Sequence, residues 1–298
     1  MFDFFKNLFK KNKNYASSEN LNNDEDIVKL MYLIDRPQPT VFFVYVREMV
    51  GYWLQQEMNK LKEDKWHQGA HWIKMEWTYP CFEQLTFAYK NQIFCVVIEI
   101  IDKTTGESLL PQKWKNNLID NCIKNNLIPC LYKVSVKDPS NPIYNTIKPI
   151  TSGWNLFNAI TNKPIIPENV ISDAKIEISE WELNDFAIQV VREYITNKLN
   201  YKILSYQNII GINPQLWFED ENKNMNYVVV RYAVYPNNKA ERPNDLKSIQ
   251  LSVAAYQGYF ASVAFFPSNE NSEDISKIYR GEPVNIVFNG LEKLEKLL

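Results

Sequence analysis

The chain has 298 residues, of which 45% are hydrophobic, so it can bury one large core or two moderate ones. Its formal net charge is only -2, with 19 Lys and Arg against 17 Asp and Glu up to Gly153, and 14 against 18 beyond it. Neither half has the basic excess of a protein that gains its affinity by neutralising phosphates. The composition predicts a globular protein and gives no support for nucleic acid as a partner.

Residues 1 to 26 are predicted to form an amphipathic N-terminal segment and a polar linker. Phe2, Phe5, Leu8 and Phe9 recur at helical spacing between lysines, which would make a short basic helix ending near Lys11. Such a helix could contact an anionic membrane or a groove on a partner. The alternative is a frayed helix with no such contact, because a helix this short is only marginally stable alone in water.

Residues 27 to 138 are predicted to form a first α/β unit. The stretch "REMVGYWLQQEMNKL" predicts a helix, "HWIKMEW" a strand and "EQLTFAYKNQIFCVVIEII" a hairpin of two strands. A helix over "WKNNLIDNCIKNN" and a strand over "IPCLYKVSV" follow. Residues 139 to 178 are rich in proline and are predicted to be a connector with a hairpin around Asn162.

Residues 179 to 298 are predicted to form a second unit with the same order of elements. Ser179 and Glu182 have the spacing of a capping box and open an amphipathic helix that runs to Leu199. A strand over "YKILSYQ", a hairpin over "NPQLWFEDENKNMNYVVVRY", a helix over "DLKSIQLSVAAYQ" and a strand over "YFASVAFF" follow. The tail "IYRGEPVNIVFNGLEKLEKLL" predicts a turn, a strand and a short terminal helix.

The two units predict an internal duplication and an α+β fold. When "EQLTFAYKN-QIFCVVIE" is aligned with "PQLWFEDENKNMNYVVVR", the Gln, Leu and Phe that open each hairpin coincide, and Glu99 falls opposite Arg231. The alternative is that the likeness is only that of any two α+β units. The fold class that we predict is two similar α-β-β-β-α-β units, each a mixed sheet flanked by helices.

The order of helix, three strands with a central hairpin, helix and strand resembles the core of the restriction-endonuclease-like superfamily, in both units. That resemblance implies a carboxylate at the hairpin start and a Glu two residues before a Lys on its second strand, often with a Glu on the first helix. Carboxylates are needed there because Mg²⁺ prefers oxygen ligands, and the Lys helps to activate the attacking water. The sequence is also similar in composition to uncharacterised bacterial proteins.

The first unit keeps acids near these positions, in a different arrangement. Glu83 stands at the hairpin start and Glu99 on the second strand, followed by Asp102. Residues Glu83, Glu99 and Asp102 are therefore the candidates for a Mg²⁺-dependent nuclease site. The alternative is that Glu99 has a structural role, because it lies at the Lys position and strand alternation places it on one face with Val97 and Ile101.

The second unit has lost the acids. Asn213 occupies the hairpin start, and the Glu-x-Lys positions read Val229, Val230 and Arg231. Valine cannot bind a metal, and an arginine does not easily release a proton. Arg231 and Asn213 are therefore candidates for binding rather than for catalysis.

A zinc site built from His67 and His71, with Glu76 and Cys81 nearby, can be drawn on a helix, but Gly69 between the histidines favours a loop or strand. We therefore expect no metal and no cofactor, with Mg²⁺ as the alternative.

Four cysteines without a CxxC pair indicate reduced thiols, and the N-terminus lacks a secretory cleavage site, which favours the cytoplasm. The expected function is non-catalytic binding of a protein partner, in an immunity-like or regulatory role. The alternative is a nuclease.

Overall fold

The computed structural model describes residues 41–61, 69–73, 85–136, 147–268 and 277–296, with the side chains of residues 41–44 excepted. Three earlier predictions lie wholly or partly outside these residues: the amphipathic segment from Phe2 to Lys11, the carboxylate of Glu83, and the zinc site, of which His67, Glu76 and Cys81 are not described. All described residues belong to one compact unit that begins at Val41.

The first sheet contains the first hairpin and the connector. Its helices and strands are α1 Val41–Met58, β1 His71–Trp72, β2 Leu85–Tyr89, β3 Gln92–Asp102, α2 Gln112–Lys124, β4 Ile128–Val136, β5 Lys148–Pro149, β6 Leu156–Asn158 and β7 Pro164–Ile165. Strands β1, β2 and β3 are antiparallel, whereas β4 runs parallel to β3. The predicted connector hairpin is confirmed, and its strands β6 and β7 extend this sheet beyond β4.

The second sheet repeats the arrangement. Its elements are α3 Glu180–Glu193, β8 Lys202–Tyr206, β9 Leu216–Glu219, β10 Met225–Val234, α4 Leu246–Ser252, β11 Gln257–Pro267, β12 Val284–Phe288 and β13 Glu292–Lys293. Strands β8, β9 and β10 are antiparallel, and β11 runs parallel to β10 through the α4 connection. The predicted fold class, α+β with two similar units that each hold a mixed sheet, is confirmed.

Each sheet is buried on both faces, because its central strands are apolar at odd and even positions alike. Helix α1 covers the face that carries Val96, Ile98 and Ile100, whereas α2 covers the opposite face with Cys95 and Val97. In the second sheet, α3 and α4 cover the two faces in the same way. Helix α3 begins with the predicted capping box, in which the Ser179 backbone N–H donates to Glu182 at 3.0 Å.

Two predictions about the second unit are wrong at the level of individual elements. The helix after β10 ends at Ser252 rather than reaching Tyr256, because three turn residues precede strand β11. The tail forms β13 instead of a terminal helix: Glu292 pairs with Phe260 on β11, and Leu294 is buried in the cluster beneath α4. Pairing with a free strand edge therefore decides the tail conformation, against its helical spacing of leucines.

The two sheets belong to one body, joined through α3 and through the segment before β12. Trp181 and Phe186 of α3 pack on the cluster between α2 and the first sheet. Arg280 donates to both carboxylate oxygens of Glu182, at 2.7 and 2.8 Å, and to the carbonyl of Asn126 at 2.8 Å. Gly281 follows with φ +75°, and an added Cβ there would lie 2.9 Å from the backbone of Lys90. Only a glycine fits this approach of the second unit to the first hairpin.

Candidate functional site

Each unit carries one charged residue at the same place in its second hairpin strand. The register pairs Leu85 with Val96 in the first sheet and Leu216 with Val228 in the second. Glu99 lies three residues beyond Val96, and Arg231 lies three residues beyond Val228. The two side chains therefore occupy equivalent positions, in agreement with the sequence alignment.

In the first unit this charge is neutralised inside the fold. Glu99 is only 8% exposed and lies beside Lys133 on the parallel strand β4, with Nζ 3.3 Å from Oε2. Lys133 also donates to Asn162 Oδ1 at 2.6 Å and lies 4.7 Å from the centre of the Phe157 ring. The connector hairpin supplies both Asn162 and Phe157, so it covers the ion pair and orients its cation.

Asp102 does not join Glu99. Strand β3 is regular over its whole length, so residues three apart point to opposite faces, and Glu99 shares the α2 face with Val97. Asp102 Oδ1 accepts a hydrogen bond from the Thr104 backbone N–H at 2.7 Å, which stabilises the turn after the strand. A carboxylate on α1 could not approach Glu99 either, because α1 covers the other face.

In the second unit Arg231 and Asn213 do come together. Arg231 Nη1 donates to Asn213 Oδ1 at 3.0 Å and to the carbonyl of Val230 at 2.8 Å. Gln215 Nε2 donates to the same Asn213 oxygen at 2.9 Å, while Gln215 Oε1 accepts from the Val230 backbone N–H at 2.9 Å. Gln215 thus takes the place of a ladder partner just before β9 begins, and it fixes Asn213 beside the arginine.

Helix α3 holds the loop that carries Asn213. Asn208 Nδ2 donates to Asp185 Oδ1 at 3.0 Å, and Asn184 Nδ2 donates to the Asn208 carbonyl at 2.7 Å. Within the loop, Gln207 Nε2 donates to the Ile212 carbonyl at 2.7 Å. Asp185 and Asn208 are 1% and 3% exposed, and buried polar groups that are fully bonded rigidify a structure. The loop is therefore anchored at its base by buried side chains.

The environment of Arg231 differs from that of Glu99 in its neighbour on the parallel strand. Ser262 stands beside Arg231 on β11, at the position of Lys133, and its hydroxyl accepts the Ala240 backbone N–H at 2.7 Å. Arg231 is half-buried, and burial lowers the pKa of its guanidinium from the ordinary value, while the charge of Asp245 opposes that shift. The positive charge is thus desolvated without an adjacent acid on the neighbouring strand.

Among the residues that the structure describes, no three His, Cys, Asp or Glu side chains are grouped closely enough to hold a metal ion. His71 lies on strand β1 rather than on a helix, and its Nδ1 is 3.0 Å from the Gly69 carbonyl. Cys95, Cys122 and Cys130 are buried and form no disulfide, and burial raises the pKa of Cys95 and Cys130. None of the helices in the described segments is long and apolar enough to cross a membrane.

Sequence reasoning missed two partners that matter. Lys133 is the single charge in the strand "IPCLYKVSV", and a lone charge in a buried strand was a signal for a pairing partner nearby. Arg280 was read only as a turn residue, although it is 7% exposed and binds Glu182. Its partner is more than 90 residues away in the chain, so no local pattern could indicate the pair.

Fold and geometry together define an α+β protein of two similar units in which a charged position is paired in one copy and open in the other. Residues 181–294 match a family model described as a domain of unknown function (DUF8840), which corresponds to α3 through β13. No curated protein and no solved structure matches the chain.

Proposed function

We propose that the protein is a non-catalytic binding protein whose partner is another protein, in a regulatory or immunity-like role. The observation that carries this proposal is the ion pair between Glu99 and Lys133. A Mg²⁺ ligand must offer free carboxylate oxygens, and several must converge on one point. Glu99 forms an ion pair with Lys133, although its Oε2 accepts no hydrogen bond from the described residues. Asp102 faces the other side of the sheet and supports a turn, so the two carboxylates do not converge.

The second unit supports the same conclusion. Val228 and Val230 on the α3 face of β10 are at most 1% exposed and belong to the core. Val229 is equally buried on the α4 face of the strand, and the half-buried Arg231 lies on that same face. Metal-assisted hydrolysis needs oxygen ligands where this strand has methyl groups. Binding requires no such ligands, and Asn213 and Arg231 are held in place for it.

We also propose that the protein acts in the cytoplasm. Three of its four cysteines are buried and form no disulfide in the described structure, as expected for a chain that folds in a reducing compartment.

A cleavage assay tests the absence of catalysis. Purified full-length protein with Mg²⁺ or Mn²⁺ should leave mixed DNA and RNA intact, and neither ion should raise its melting temperature. The contrary result is cleavage that Glu99→Gln abolishes, since that substitution removes the charge and keeps the shape. Glu107→Gln is the matched control, because Glu107 is an exposed carboxylate near the end of the same hairpin. Cleavage lost in E99Q and kept in E107Q would establish the nuclease instead.

A further inference from the structure

Arg231 has hydrogen-bond donors that the fold does not use. Its two bonds, to Asn213 and to Val230, both come from Nη1. Nε and Nη2 make no hydrogen bond or ion pair with any residue of the described structure, and neither atom is fully buried. The edge formed by Nε and Nη2 therefore reaches solvent, while Nη1 holds the guanidinium plane in a fixed orientation.

Two other cations of the described interior are paired with a carboxylate. Arg280 pairs with Glu182. Lys133 pairs with Glu99, which is the residue of the first unit equivalent to Arg231. Removing a charge from water costs free energy unless an opposite charge or several hydrogen bonds replace the solvent. Arg231 loses part of its hydration, and although the charge of Asp245 acts on it, no carboxylate of the described residues lies within ion-pair distance. The first unit indicates the chemistry of the group that would pair with Arg231, because there a carboxylate and an ammonium lie side by side on the two equivalent strands.

We infer that the Nε–Nη2 edge of Arg231 is a binding site for a carboxylate group. This inference rests on the proposed binding function and names the chemistry of the group that is bound. The two N–H bonds along that edge are parallel and coplanar, which matches the two oxygens of a carboxylate. Asn213 belongs to the site as a positioning residue, because it fixes the orientation of Nη1 without touching the ligand.

Charge favours a carboxylate over a phosphate. A phosphate group carries close to two negative charges and is usually bound by several cations or backbone N–H groups. Arg231 offers one positive charge, and Asp245 adds a negative field at the same guanidinium. The chain beyond Gly153 is also acidic, with 14 Lys and Arg against 18 Asp and Glu. A monoanion is therefore bound in preference to a dianion.

The test is an NMR titration of the full-length protein labelled with ¹⁵N-arginine, in which the Arg231 Nε–H signal is assigned by its absence in Arg231→Lys. Sodium acetate, a blocked peptide with one glutamate, inorganic phosphate and sodium chloride are added at matched ionic strength and pH 7. The expected result is a saturable shift with acetate and with the peptide, and a weaker response to phosphate. Tighter binding of the peptide would identify a protein carboxylate as the source, and equal binding would support the shared chemistry.

One further variant and one internal control complete the experiment. Asn213→Ala should weaken acetate binding several-fold, because Nη1 loses its fixed partner. Arg242, an exposed arginine already paired with Glu292 at 2.9 Å, should respond only to ionic strength. No saturable Arg231 shift, or tighter binding of phosphate than of acetate, overturns the carboxylate site. Either outcome leaves the absence of cleavage unaffected, whereas cleavage would remove the proposed function and not the titration result.

Discussion

The equivalent positions Glu99 and Arg231 show how two copies of one fold can treat a buried charge differently. Glu99 has Lys133 on the adjacent strand, and the connector hairpin covers the pair. Arg231 has Ser262 at the same place and a loop amide that orients it from one side. The buried ion pair stabilises the fold, whereas an arginine whose Nε–Nη2 edge is unpaired can bind a ligand.

The largest expected effect concerns the contact that makes the two copies one body. Arg280→Ala would leave Glu182 buried without its cation, and the side chains of this pair are only 4% and 1% exposed. We expect the free energy of unfolding to fall by about 3 to 5 kcal/mol. Urea denaturation followed by circular dichroism and by tryptophan fluorescence measures it. The surface variant Arg242→Ala is the control, with a loss below about 1 kcal/mol. A loss in R280A as small as in the control would contradict the inter-unit role.

The next effect breaks the closed pair of the first copy. Lys133→Met keeps the bulk of the side chain and removes the charge that compensates Glu99. The free energy of unfolding should fall by about 3 kcal/mol, at the lower end of the range for a broken buried pair, because these side chains are 13% and 11% exposed. The double variant E99M/K133M should recover most of that loss in the same denaturation assay. If the double variant is as unstable as K133M, packing and not charge explains the result.

A smaller effect is expected at the open position of the second copy. Arg231→Met removes a half-buried charge that has no acid at ion-pair distance among the described residues, so the lost hydrogen bonds are offset by relief of desolvation. The change in unfolding free energy should stay within about 1 kcal/mol, in contrast to K133M. Thermal and urea denaturation compare the two variants directly. A loss at Arg231 that equals the loss at Lys133 would mean that both positions are structural.

The smallest effect is expected at the surface, and it depends on pH. Hydrogen bonds from Lys239 and then from Arg242 lower the pKa of Glu292. A carboxylate with a lowered pKa stabilises the fold above its unfolded-state pKa, and this contribution is lost as pH falls through the folded-state pKa. Glu292→Gln should therefore destabilise by less than about 1 kcal/mol at pH 7, and by progressively less as pH falls below the ordinary pKa range of a glutamate. A loss that does not change as the pH is lowered would show that charge is not its cause.

Local patterns predicted most of the fold. The hairpin over residues 85 to 102 and the strand from Ile128 to Val136 follow from apolar runs bounded by turn residues. The tail could not be predicted in this way, because its leucines have helical spacing, whereas Glu292 and Lys293 pair with β11. Strand pairing depends on residues outside the tail, so the local sequence of the tail does not indicate it.

The candidate site was predicted only in part. Asn213 and Arg231 were chosen for their places in an expected pattern, and the structure brings them to 3.0 Å. Glu99 is paired with a cation, whereas the Nε–Nη2 edge of Arg231 is unpaired in the described structure. This difference depends on which residue lies beside each of them on the parallel strand. Lys133 and Ser262 become equivalent only after the register of β3 with β4 and of β10 with β11 is known.

The sequence by itself determined the order of helices and strands, the repeat and the placement of single charges in buried strands, because these depend on periodicity and on turn residues within short windows. The tertiary structure decided which charges are neutralised, that Arg280 unites the two units, and that Arg231 faces solvent on one edge. Those outcomes depend on contacts between residues far apart in the chain, where the balance of desolvation and pairing is set by neighbours that no local pattern specifies.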